Sequence, residues 1–134
     1  MDHREEPREA TSIDARGIRP PAAYSIAEGR SSERVTVLTM RGELDIAAAP
    51  LIHASVDEVA AGHALVLDLA EVTFIDSAVL KELLRARAEL AARDVQFLLA
   101  AVQPPVRRLL DLTRTAELFE QAPDAETAVK RLTG

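Results

Sequence analysis

From Tyr24 onward, apolar positions switch between short β-type runs and a helical period, and the switches mark out the elements. Val35–Met40 is β-branched and flanked by charge, which predicts a strand that Gly42 and the Glu-Leu-Asp after it should end. Ile52, Val56 and Val59 recur at i, i+4 and i+7, with Pro50 in a first turn and Gly62 as a stop, so a helix is expected there. Leu65–Leu69 is short and almost wholly apolar, as a strand covered on both faces would be. Glu71–Asp76 leads into a longer helix from Ser77 to Arg93. On a helical wheel Val79, Leu83, Ala86 and Leu90 form its apolar stripe, Leu80 sits at the margin, and Lys81, Arg85 and Glu89 lie opposite. Val95–Val102 predicts a third strand, Pro104 and Pro105 open a short helix, and Leu118–Gln121 reads as a brief edge strand. Asp124 then caps a last helix whose Ala125, Ala128, Val129 and Leu132 fall on one face.

Strands and helices that alternate with short connections predict an α/β domain. Its sheet should be mixed and partly parallel, with four to five strands covered by about four helices. Residues 1–23 stand apart. They mix acids with bases, carry Pro7, Pro20 and Pro21, and show no sustained period, so a flexible tail before a domain at 24–134 is expected.

Composition narrows the function. The 134 residues are 48% hydrophobic, enough for one core, but only 3% aromatic, so Leu, Val, Ile and Ala must fill it. The net charge of −6 and the scatter of the basic residues argue against nucleic acid or an anionic membrane as partner. With no cysteine, disulfides and thiol chemistry are excluded. No apolar run approaches the ~18 residues of a membrane span, and the N-terminus has no apolar signal region, so the expected location is the cytoplasm.

Catalytic constellations are scarce. His3 lies in the tail, His53 on a polar helix face without evident acid partners, and His63 beside Gly62; none has zinc-ligand spacing, and no metal or cofactor is expected. Asp45, Asp68, Asp76 and Asp111 follow or lie near strand ends, where open α/β sheets bind ligands. A phosphoacceptor domain would also want an acidic pair after the first strand and a lysine after the last, yet Lys81 and Lys130 both fall inside helices. The run Phe74-Ile75-Asp76-Ser77-Ala78-Val79-Leu80 stands out, because an apolar pair enters Asp-Ser directly at a helix start. Either Asp76 or Ser77 can cap that helix, and its N-terminus tolerates added negative charge.

Three segments give the chain a family likeness. Arg41-Gly42-Glu43-Leu44-Asp45-Ile46-Ala47, the stretch from Leu67-Asp68-Leu69 to Phe74-Ile75-Asp76-Ser77, and Val106-Arg107-Arg108-Leu109-Leu110-Asp111-Leu112 occur in the order and spacing of the STAS domain. From about residue 32 to 134 the chain resembles the anti-sigma factor antagonists, also called anti-anti-sigma factors. The resemblance implies a STAS fold and a non-enzymatic binding protein. Its partner would be an anti-sigma factor, often a serine kinase with a histidine-kinase-like ATPase fold. Binding that partner frees a sigma factor, and phosphorylation of a serine at the start of the second helix breaks the complex. An alternative within the fold is a ligand- or nucleotide-sensing or scaffold module.

The sequence departs from the family at that serine. Asp76 and Ser77 match the motif Asp-Ser-Ser-Gly-Leu, but its second serine is Ala78 here and its glycine is Val79. Ala78 has no hydroxyl to phosphorylate. Ser77, with a cap role available to it, and Thr73 are the neighbouring candidate acceptors, so the switch is expected to be absent or moved. On the wheel Ala78 falls toward solvent and Ser77 nearer the apolar margin. The expected docking surface is an exposed apolar patch at Ala78 and Val79, with Ser77 beside it and Asp45 and Asp76 at its edge.

Overall fold

The computed structural model describes residues 8–9 and 24–133. In chain order the elements are β1 (Arg8–Glu9), β2 (Tyr24–Arg30), β3 (Val35–Leu44), α1 (Ala49–Asp57), β4 (Ala64–Ile75) and α2 (Ser77–Ala92). They continue with β5 (Gln96–Ala100), α3 (Pro104–Leu112), a single 3-10 turn (Ala116–Leu118), β6 (Glu120–Ala122) and α4 (Ala125–Thr133). The strands form one sheet in sequence order, antiparallel from β1 to β3 and parallel from β3 to β6.

The expected mixed α/β layering is therefore present, with one more strand than the largest number expected. That strand is the two-residue β1, where Arg8 pairs with Ile26 and Glu9 with Ser25. It falls inside the segment read as an unstructured tail; the rest of that segment lies outside the described residues. β2 is also new. Only Tyr24 and Ile26 of its sequence are large and buried, so its pattern is too short to register as a strand.

Strand alternation divides the interior in two. Leu38, Met40, Leu65, Leu67 and Leu69 face α1, α2 and α3 in the main core. Val35, Ala64, Val66, Leu98 and Ala100 face α4 in a smaller one. Arg93, just past α2, ties the two helices α1 and α2 together: its guanidinium donates to the carbonyls of Val56 at 2.8 Å and Val59 at 2.6 Å, where α1 ends. That helix stops at Asp57, short of Val59 and Gly62, and Gly62 instead turns the chain into β4 at φ +80°.

Both central strands outrun their predicted ends, and this positions the site. β3 passes through Gly42, whose φ of +87° lets the backbone absorb a register shift against β4 and continue to Leu44. β4 continues beyond Asp68, the last residue paired with β5, to Ile75. Conversely, β5 ends at Ala100 because Ala101 turns left-handed at φ +57°. Asp124 caps α4 as expected, accepting from the Thr127 amide at 2.6 Å.

Candidate functional site

The carboxyl ends of β3 and β4 lie side by side, because Leu44 pairs with Ile75 and the amide of Asp76 donates to the Leu44 carbonyl at 3.1 Å. Two segments distant in sequence thus meet at one end of the sheet. On one side, the Asp45 carboxylate accepts from the Ala47 amide at 2.9 Å and its carbonyl from the Ala48 amide at 2.8 Å. This tight turn leaves Ile46 pointing outward, 71% exposed. On the other, Asp76 is extended (φ −96°, ψ −179°) and accepts from the Val79 amide at 2.9 Å, so it is the N-cap of α2. Phe74, two residues earlier, is 48% exposed.

The cap fixes which way the next residues face. Ser77 is exposed and its hydroxyl has no hydrogen-bond partner among the described residues, so the cap role open to it is filled by Asp76. Ala78 is half-buried. These two exchange the orientations expected from the wheel, because Val79, Leu80 and Leu83 fix the buried stripe and Ser77 lies outside it. Val79 must be removed from the docking surface. It is fully buried in the main core and cannot present its side chain to another molecule. The apolar exposure comes instead from Ile46 and Phe74, which lay inside the quoted motifs but carried no sign of their exposure.

Of the four aspartates near strand ends, Asp45 and Asp76 are brought together. Asp68 sits partway along β4, accepting from the Ala70 amide at 3.1 Å, and Asp111 is exposed on α3. Tyr24 is buried in the core, and its phenol is pushed above the usual value, first by that burial and then by the charge of Asp45. Thr73 is exposed on β4.

One feature beside this end corrects the sequence reading. His53 is not without acid partners: its Nε2 lies 3.1 Å from Asp57 and its Nδ1 3.3 Å from Glu82. Arg85 grips Glu82 with Nε at 3.0 Å and Nη2 at 2.8 Å. His63 makes no such cluster, and His3 lies outside the described residues. Among the described residues no group of three or more His, Asp or Glu side chains is placed to hold a metal ion, and no helix is long and apolar enough to cross a membrane.

Residues 27–128 match the STAS domain family, a span holding both strand ends, the Asp76 cap and α2. The chain belongs to the STAS domain family. Within it, this STAS domain is 37% identical over 101 residues to the anti-sigma-F factor antagonist RsfB of Mycobacterium tuberculosis, covering 72% of this chain and 82% of that one. It superposes on an anti-sigma factor antagonist from Mycobacterium paratuberculosis with a TM-score of 0.70 at 27% identity, over 83% of this chain and 95% of the other. An anti-sigma-factor antagonist (STAS) domain protein from Planctomyces limnophilus shares the fold, with a TM-score of 0.71 at 19% identity over 81% and 98% of the two chains.

Proposed function

We propose that this STAS domain is an anti-sigma factor antagonist that docks its partner on the end of the sheet formed by Asp45, Ile46, Phe74, Asp76, Ser77 and Ala78. The observation that carries the reading is the pair of exposed apolar side chains, Ile46 in the turn after β3 and Phe74 near the end of β4. Large exposed apolar groups with a polar rim favour a protein partner over solvent. The named relatives, both in sequence and in structure, are anti-sigma factor antagonists, which gives the partner its class. Our reading is that the partner is an anti-sigma factor with a histidine-kinase-like ATPase fold, met in the cytoplasm.

Control by phosphate at position 78 is chemically closed, since alanine has no hydroxyl. Ser77 is the acceptor we favour. Its hydroxyl is exposed and has no hydrogen-bond partner among the described residues, and it stands at the first position of α2, where the helix N-terminus accommodates an anion. A phosphate there adds about −1.5 to −2 charge beside Ile46, Phe74 and the two aspartates, enough to repel a partner seated on them.

The test is reconstitution. Transcription by a polymerase whose sigma factor is held by its anti-sigma factor should recover when this protein is added, and failure to recover refutes antagonism. Incubating the pair with ATP should then place phosphate on Ser77, and Ser77→Ala should abolish it. Phosphate on Thr73, or none at all, refutes the assignment to Ser77.

A further inference from the structure

His53, Asp57, Glu82 and Arg85 close a ring of charges between α1 and α2. His53 meets Asp57 from its own helix and Glu82 from α2, and Arg85 completes the circuit by holding Glu82 and lying 3.7 Å from Asp57. Among the described residues, Asp57 and Glu82 are the charged groups paired with the imidazole from the two helices, and Arg85 also feels the charge of Glu89. Each ring nitrogen is within hydrogen-bonding distance of a carboxylate oxygen. A neutral imidazole has one N–H and can satisfy one of the two; the second nitrogen then turns its lone pair on a carboxylate. The ring closes completely with the imidazolium alone, whose charge also balances the two acids against Arg85.

The ring sits where it can act on the docking end. His53 and Glu82 line a recess of about 390 Å³ whose other walls are Ile46, Ala49 and Pro50. Ile46 belongs to the Asp45 turn, and Ala49 and Pro50 open α1. Fixing α1 against α2 therefore fixes the turn carrying Ile46 relative to the helix start carrying Ser77 and Ala78. Glu82 is nearly buried and cannot relax into water, whereas His53 is half-exposed.

We propose that His53 is a proton-operated clasp: protonated, it locks α1 to α2 and holds the docking end in its binding shape; deprotonated, it loosens both. The effect on partner affinity rests on the antagonist reading; the clasp does not.

Two measurements separate the ideas. A double-mutant cycle on unfolding, using His53→Gln, Asp57→Asn and the double variant, should give a coupling of roughly threefold in the folding equilibrium constant near pH 5.5, and a clearly smaller one near pH 8. A second cycle with Glu82→Gln should behave alike. Coupling that is equal at both pH values, or absent at both, overturns the clasp. Affinity for a purified anti-sigma factor should then be about threefold tighter at the lower pH, and His53→Gln should remove the difference. A pH dependence that survives His53→Gln overturns control of docking by the clasp. Positive cycles with no binding at either pH establish the clasp and refute the antagonist reading.

Discussion

Replacing Ala78 by aspartate tests the docking surface most directly. Ala78 is half-buried at the second position of α2, flanked by exposed Ser77 and next to the capping Asp76. In the free protein the longer carboxylate reaches water, and α2 has no acid of its own in its first turn. The helix N-terminus should therefore welcome it by about 0.3–1 kcal/mol, leaving stability unchanged or slightly raised. In the complex the same carboxylate must shed water against an apolar partner surface, which costs several kcal/mol per ion, with repulsion from Asp76 and Asp45 added. The helix contribution is present in both states and cancels, which leaves a net loss of about 3 kcal/mol, or roughly two decades in Kd. Isothermal titration against the anti-sigma factor reads the affinity, and a urea midpoint on the same sample reads the fold. Unchanged affinity with an intact fold would show that the partner docks elsewhere.

Other substitutions separate surface from core. Val79→Ala should cost roughly 2 kcal/mol of unfolding free energy, because it removes two buried methyl groups and leaves a cavity, while affinity for the partner stays within twofold. A large loss of affinity at full stability would restore Val79 to the docking surface. Tyr24 is the chain's one tyrosine, and there is no tryptophan, so absorbance near 295 nm follows its ionisation alone. Its phenol lies above the usual value, so folding favours the neutral form. That contribution is full below about pH 10 and is lost as pH rises through the higher folded value. Tyr24→Phe should make the fold more resistant to alkali; native Tyr24 titrating like a free tyrosine would refute the burial argument.

The sequence disclosed α2 well because two independent signals coincide there: a capping aspartate, and an apolar residue at Val79, Leu83, Ala86 and Leu90. α4 was legible for the same reason, through Asp124. The strands were harder. Gly42 has the look of a terminator, and only its partner strand shows that a register shift lets β3 continue. The length of β4 likewise depends on β3, since its last residues pair with that strand alone. The docking end was half legible. Asp45 and Asp76 were recognisable in their motifs, but whether Ile46, Phe74 or Val79 faces outward is decided by packing. The His53 cluster was partly within reach: Asp57 lies one helical turn along, a spacing visible in the sequence, whereas Glu82 is brought in by the fold.

The hydrogen bond from the Asp76 amide to the Leu44 carbonyl has a consequence for when and how binding activity arises. Because the proposed docking surface is split between two stretches joined by the parallel pairing of β3 and β4, neither stretch carries it alone. A nascent chain remains incompetent until Asp76 has left the ribosome and found Leu44, and a short synthetic peptide copying the start of α2 should compete poorly with the intact protein. Recognition is in this sense a late property of the molecule, acquired only when the sheet has closed.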